Sequence, residues 1–134
     1  MLIVTDDSEE VKKMAGQIAA AAKGHKVCLK TVAKFAGNDL LPAEVFFLGC
    51  EKPAPDSFAY LADLLKHINL AGRPCGVFSP GSKKAALYLA ALVKDSEAAL
   101  NPEPLLAGSA REVRTWVNRI FSNSRQPAGR TKGR

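Results

Sequence analysis

The fold of this 134-residue chain is decided by residues 45–50, which read Val-Phe-Phe-Leu-Gly-Cys. Four consecutive apolar residues without polar alternation predict a strand that is buried on both faces, as in the middle of a parallel sheet. Amphipathic segments at residues 7–24 and 57–72 flank this strand in the sequence and predict helices. A buried strand between two such helices indicates an α/β fold, in which helices cover both faces of the sheet.

Other apolar runs alternate with amphipathic segments along the rest of the chain. Strands are also predicted at residues 2–5, 25–35, 74–78 and 105–106, and helices at residues 85–93 and 109–121. The alternation requires right-handed crossovers and therefore a mostly parallel sheet. Residues 36–43 are too few for a full crossover helix, so a helical turn or loop is expected there. The predicted fold class is α/β: a three-layer, doubly wound, five-stranded parallel sheet with strand order 2-1-3-4-5.

Local signals predict where several helices begin and end. Asp7 and Glu10 form a capping-box-like pair at the start of the first helix, which Gly24 closes, and Gly72 ends the helix that begins near residue 57. A second capping box is predicted at the start of the last helix, residues 109–112. The buried face of that helix is predicted to consist of Val113, Trp116, Val117, Ile120 and Phe121.

The positive charge of the chain is concentrated at its carboxyl end. The whole chain carries 19 Lys and Arg against 13 Asp and Glu. Residues 1–110 hold 12 of each, whereas residues 111–134 hold seven basic residues and one acid. We therefore predict a neutral domain at residues 1–121 and a basic disordered tail at residues 122–134. The domain is not expected to bind nucleic acid, whereas the tail offers salt-sensitive, non-specific attraction to an anionic partner.

The pattern of cysteines and the hydropathy of the chain indicate in which cellular compartment the protein is found. Cys28, Cys50 and Cys75 each lie in an apolar segment and none belongs to a Cys-x-x-Cys pair, so buried, reduced thiols are expected, with a working thiol as the alternative. No apolar stretch approaches the roughly 20 residues of a membrane span, and no secretory leader is recognised. A cytoplasmic protein is predicted.

Two segments resemble the flavodoxin family. Residues 40–50 are similar to the third strand of flavodoxins and its approach, and residues 68–79 are similar to the segment that leads into the fourth strand. The short link between strands two and three is also flavodoxin-like, and the resemblance covers residues 1–121. It implies an electron carrier that holds FMN non-covalently in the crevice beyond strands one and three. The loops at residues 5–10, 49–57 and 79–84 would line that crevice.

The loops depart from the motifs that the family uses for FMN. Residues 5–10 read Thr-Asp-Asp-Ser-Glu-Glu, with no glycine and with four carboxylates where a phosphate would sit. Like charges about 4–6 Å apart cost on the order of 1 kcal/mol or more each, whereas a helix N-terminus contributes only about 0.3–1 kcal/mol to an anion. Residues 49–55 and 79–84 offer no aromatic face to a flavin ring. Degraded FMN-binding loops are therefore predicted.

The candidate crevice residues come from all three loops. They are Thr5, Asp6, Ser8, Gly49, Cys50, Ser79, Gly81, Ser82 and Lys83. An atypical phosphate site would use Ser82 with Lys83 or Lys84, because a Gly-Ser turn that enters a helix exposes backbone N–H groups. A divalent cation among the carboxylates of residues 6–10 is an alternative to the simpler interpretation of a solvated, acidic first turn.

A second, weaker resemblance is to response-regulator receiver domains, which share the strand order. Residues 2–8 are similar to their first strand and acidic pair, and residues 53–58 to the loop after their phosphorylated strand. However, Gly49 stands where the phosphoacceptor Asp is needed, and Ala107 and Gly108 stand where the family has a Lys. The resemblance thus implies a degenerate, phosphorylation-independent module.

The sequence shows no catalytic machinery. His25 and His67 are far apart, without a nucleophile or carboxylate at a triad-like spacing, and no catalytic or metal-binding residue is predicted. The main hypothesis is a non-catalytic interaction or regulatory module with an unknown protein partner and no cofactor. The alternatives are an FMN-binding, electron-transferring flavodoxin with an atypical phosphate site and the degenerate receiver-like signalling domain.

Overall fold

The five strands form one parallel sheet at the centre of the molecule. The computed structural model describes residues 1–22, 24–40 and 42–125. The strands are β1 (Leu2–Thr5), β2 (Cys28–Thr31), β3 (Phe46–Gly49), β4 (Pro74–Phe78) and β5 (Ala99–Leu100). Their order is β2-β1-β3-β4-β5 and every pair is parallel, so the predicted doubly wound sheet is confirmed.

Helices cover both faces of the sheet. They are α1 (Glu9–Ala21), α2 (Gly37–Leu40), α3 (Ala59–His67, after a 3-10 turn at Asp56–Phe58), α4 (Lys83–Asp95) and α5 (Ala110–Arg125). Helices α1 and α5 pack on one face, and α3 and α4 on the other. The single turn of α2 replaces a crossover helix, as the short link predicts. None of the helices in the described ranges is long and apolar enough to span a bilayer.

Strand β3 supplies both halves of the hydrophobic core. Phe46 and Leu48 face α3 and α4, whereas Phe47 points to the other face, and all three side chains are fully buried. Burying a side chain of this size stabilises the fold by roughly 1.5–3 kcal/mol. Successive side chains of a strand point to opposite faces of the sheet. Because every residue of this run is apolar, β3 packs against the helices on both faces.

Helix α5 begins and packs as its sequence predicts. The Ser109 amide donates to Glu112 Oε1 over 3.1 Å, and the Glu112 amide donates to Ser109 Oγ over 3.3 Å, so the capping box is confirmed. The five residues predicted for its buried face are all buried. Trp116 lies against Phe47, with ring centroids 5.5 Å apart, and its Nε1 donates to the Glu103 carbonyl over 2.7 Å.

Two predicted helix ends are wrong. The N-cap of α1 is Ser8 and not Asp7, because Ser8 Oγ accepts from the Val11 amide over 3.5 Å. Helix α3 ends at His67, five residues before the predicted Gly72, since Ile68 is already extended. Gly72 instead occupies the left-handed region (φ 81°) in the turn that leads to β4.

The fifth strand and the tail also differ from their predicted positions. Strand β5 lies at Ala99–Leu100, whereas Leu105 makes only an isolated bridge to Phe78. Two prolines between these positions prevent a continuous ladder, because proline has no N–H to donate. Helix α5 continues through Arg125, so it includes the first four residues assigned to the tail. Residues 126–134 lie outside the described residues, and the disordered tail stays a prediction.

Candidate functional site

The first and second candidate loops meet at the carboxyl ends of β1 and β3. Because these strands are neighbours, residues that follow them emerge side by side. The loop after β1 has only three residues, 6–8, before α1 begins. The Asp6 amide donates to the Gly49 carbonyl over 3.3 Å, so the backbones of the two loops touch directly. The β1–β3 ladder therefore continues by one residue into the loop after β1.

The Asp6 carboxylate joins the two loops. One oxygen, Oδ1, accepts from the Ser8 amide over 3.0 Å, and the other, Oδ2, accepts from the Glu51 amide over 2.8 Å. The residue is only 8% exposed, and within the described residues it forms no ion pair. A buried anion is thus stabilised by backbone N–H groups of both loops, which is a strong form of hydrogen bond.

Two backbone N–H groups at the start of α1 are already used inside the protein. The Ser8 amide is bound to Asp6, and the Val11 amide to the Ser8 hydroxyl. The neighbouring acids Asp7, Glu9 and Glu10 are exposed. In the three described ranges, no group of three or more His, Cys, Asp or Glu side chains is arranged to hold a metal ion.

Gly49, a candidate binding residue, has a packing role. A Cβ atom at this position would lie 2.3–2.8 Å from ring atoms of Phe78 on β4, closer than real Cβ contacts. The Phe78 ring is fully buried, so it fills the space that a side chain at Gly49 would need. The same glycine stands where the receiver resemblance requires a carboxylate, and the structure leaves no room for one without repacking.

Cys50 directly follows β3, belongs to the hydrophobic core and is not reactive in character. It is fully buried, and burial, with a smaller effect of the Asp6 charge, raises the pKa of its thiol from 9.0 to about 12. Burial also raises the pKa of the Cys75 thiol. Cys28 is exposed, so the expectation that all three thiols are buried is wrong for this residue. Its strand lies at the edge of the sheet, where the consecutive residues Cys28 and Leu29 are both exposed.

These thiols give a prediction that labelling can test. At pH 8 the native chain should react rapidly with a thiol reagent only at Cys28, and the unfolded chain at all three cysteines. The pKa of the Cys50 thiol is higher in the folded chain than in the unfolded chain. The stability that the neutral, buried thiol contributes is therefore complete below pH 9 and is lost as the pH rises toward 12. Cys28→Ser is the matched control and should remove the rapid phase. Rapid labelling of Cys50 in the native chain would contradict the assignment.

The third candidate loop is built around the start of α4. Ser82 is the N-cap of this helix, and its Oγ accepts from the Ala85 amide over 3.1 Å. Gly81 has a φ of 78° and donates to the Leu106 carbonyl over 2.8 Å. Lys83 is exposed, whereas Ser79 is fully buried with a hydroxyl that has no hydrogen-bond partner among the described residues.

Thr5, Asp6, Ser8, Gly49 and Cys50 lie together at the ends of β1 and β3, and residues 79–83 follow β4, the other neighbour of β3, at the same edge of the sheet. No hydrogen bond or ion pair of the described chain joins residues 79–83 to the other two loops. Sequence reasoning missed Phe78, which fills the space beside Gly49, and the Glu51 amide, which binds Asp6. Glu51 is separated from Asp6 by 45 residues, so no local pattern could indicate the contact.

Comparison with solved structures identifies the fold. Flavodoxin 2 from Bacillus cereus superposes with a TM-score of 0.77 at 20% identity, over 90% of this chain and 97% of that one. A short-chain flavodoxin associated with a bacterial microcompartment gives 0.80 at 12% identity, over 92% and 97%. The Fusobacterium nucleatum flavodoxin bound to flavin mononucleotide gives 0.70 at 11% identity, over 90% and 95%.

These similarities define a chain with the flavodoxin-like fold. No protein-family model matches the sequence, and no curated protein matches it significantly. The predicted likeness of the fold to flavodoxins is confirmed, since the matched structures are aligned over nearly their whole length.

Proposed function

We propose that this chain is a flavodoxin-like interaction or regulatory module that does not bind FMN in the crevice. The observation that carries this proposal is the buried Asp6 carboxylate, which accepts the Ser8 and Glu51 amides. In this arrangement a side chain of the protein supplies the negative charge that these amides bind. An FMN phosphate would have to displace it or lie beside it.

The electrostatics oppose a phosphate at the start of α1. Two unit charges 4 Å apart interact with about 4 kcal/mol at the effective dielectric constant of a protein surface. Asp6 is buried, and Asp7, Glu9 and Glu10 add exposed negative charge nearby in the sequence. The favourable effect of a helix N-terminus, about 0.3–1 kcal/mol, is much smaller. The residues present therefore do not fit the dianion.

The flavin ring would also lack contacts in the two other loops. Residues 50–55 and 79–83 contain no aromatic side chain. Stacking of a base on an aromatic ring contributes about 1–3 kcal/mol, which indicates the size of the missing interaction. The crevice and helix α5 remain as surfaces on which a protein partner could act.

A second candidate function is electron transfer by bound FMN. It is favoured by the Fusobacterium flavodoxin, whose structure contains flavin mononucleotide. In this chain the exposed Lys83 and Lys84 at the start of α4 would have to meet the phosphate. The Ser82 hydroxyl is not available to it without loss of the cap on α4.

A flavin titration tests the proposal. We expect the purified chain to be colourless and added FMN to keep its fluorescence at micromolar protein, because the phosphate would meet the buried Asp6 carboxylate and three exposed acids where α1 begins. Flavodoxin 2 from Bacillus cereus serves as the comparison protein in the same titration. A yellow preparation with quenched flavin would refute the proposal. In that case Lys83→Ala with Lys84→Ala decides between the α4 site and another position.

A further inference from the structure

Strand β2 is an edge of the sheet in the described part of the chain, and some of its backbone hydrogen-bonding groups point away from β1. Among the described residues, β1 is its one neighbouring strand. The Cys28 amide donates to the Met1 carbonyl over 2.9 Å, and the Val32 amide donates to the Thr5 carbonyl over 2.7 Å. Since alternate residues of a parallel strand face the same neighbour, the backbone groups of Leu29 and Thr31 face away from β1.

The side chains beside this edge form a surface that is apolar in its centre and basic at its rim. Leu29 is 51% exposed, which is unusual for a large apolar residue of this chain. Two adjoining cavities of about 250 and 380 Å³ lie between α1 and β2. Lys12, Thr31 and Lys30 line both cavities, and Lys34 and Asp7 line the larger one.

The charge of this surface is positive. Lys12, Lys30 and Lys34 line the larger cavity with one acid, Asp7, and with Asp39 beside Lys30 these five charges sum to +1. Lys30 also pairs with Asp39 over 3.1 Å, yet its side chain remains 34% exposed. This excess is local, because residues 1–110 as a whole carry equal numbers of basic and acidic residues. We call the edge of β2 with these three lysines the β2 edge.

We propose that the β2 edge binds an extended, acidic segment of a protein partner, which adds a sixth strand to the sheet. The N–H and carbonyl of Leu29 and the N–H of Thr31 provide main-chain hydrogen bonds, since the Thr31 carbonyl already accepts from the Lys34 amide over 3.0 Å. Leu29 also provides the apolar contact. The three lysines select acidic side chains in the partner. They also disfavour a second copy of this chain, because its lysines would meet like charges across the new pair.

This inference rests on the proposed interaction function and names the chemistry of the partner. The probe is a fluorescein-labelled eight-residue peptide in which glutamate alternates with valine. A peptide with lysine in place of glutamate is its control. We expect saturable binding of the acidic peptide that weakens with salt, and no binding of the control. Flavin is absent from this experiment, so either proposal can fail without the other.

Amide hydrogen exchange locates the peptide. Bound peptide should slow the exchange of the Leu29 and Thr31 amides, which face outward, and leave the Lys30 amide unchanged because it already faces β1. This alternation is specific to strand addition. The proposal is overturned if the acidic peptide does not bind, or if it slows exchange uniformly or far from β2. It is also overturned if the same lysines bind an oligonucleotide or anionic vesicles more tightly than the peptide.

Substitutions separate the charge from the backbone contribution. Lys12→Gln with Lys34→Gln should weaken peptide binding roughly fivefold, since exposed charge pairs each contribute modestly. Lys66→Gln with Lys94→Gln, on α3 and α4, is the matched control and should have no effect.

Leu29→Pro should abolish binding, because it removes an outward N–H that the sheet itself does not use. Circular dichroism checks its fold. If that variant is unfolded, the exchange pattern and the lysine variants still decide the question.

Discussion

Gly49→Ala is expected to destabilise the chain by about 2–3 kcal/mol, although it adds only one methyl group. The new Cβ would lie 2.3–2.8 Å from the ring of Phe78, which is fully buried and cannot swing into solvent. Either β3 and β4 must shift or the ring must leave its position. Urea unfolding followed by circular dichroism and by the fluorescence of Trp116, the single tryptophan, measures the loss.

Gly16→Ala provides the matched control for this change. Gly16 lies within α1, and a Cβ at this position would meet no atom within 4 Å. We expect a gain of about 0.5–1 kcal/mol, because alanine loses less conformational entropy in a helix than glycine. Phe78→Leu combined with Gly49→Ala should be less destabilising than the sum of the two single changes. A Gly49→Ala variant as stable as the parent would contradict the packing role.

Asp6→Ala is expected to have a comparable effect, about 2–4 kcal/mol, by leaving two backbone amides without their charged acceptor. Hydrogen bonds to charged groups contribute about 1.5–3 kcal/mol each, and part of this is regained from water at the partly exposed amides. The Glu51 amide should exchange its hydrogen faster in the variant, because Asp6 Oδ2 binds it over 2.8 Å. Unfolding in urea and amide exchange measure the two effects.

Asp7→Ala is the control for the loss of a carboxylate. Asp7 is exposed and makes no hydrogen bond or ion pair in the described part of the chain, so its removal should change stability by less than about 0.5 kcal/mol. Asp6→Asn should be intermediate, since it keeps one acceptor oxygen without the charge. Equal stability of the Asp6→Ala and Asp7→Ala variants would show that Asp6 does not join the loops.

Several elements could be predicted because their signals are local. The apolar run at β3, the capping box at Ser109 and Glu112, and the five buried residues of α5 depend on neighbours within about one turn or strand. The alternation of strands and helices then restricts the topology to few choices. Those predictions agree with the structure.

Other elements depend on which segments lie side by side. The position of β5 is set by pairing of Ala99 and Leu100 with Pro74 and Cys75, for which the sequence holds no strong apolar run. The exposure of Cys28 follows from the edge position of β2. Ser8 and not Asp7 caps α1 in a loop where the Asp6 side chain accepts the Ser8 amide and reaches across to the Glu51 amide of the next loop.

The sequence by itself determined the class of fold and the order of its helices and strands. It also determined that the first crevice loop has no glycine and that none of the three loops has an aromatic residue, since these are properties of composition and short-range periodicity. Only the tertiary structure decided the roles of the site residues. Asp6 is a link between loops because β1 and β3 are neighbours, and Gly49 is a packing glycine because Phe78 of β4 lies against it. Both roles depend on contacts between residues far apart in the chain, which form only when the parallel strands align.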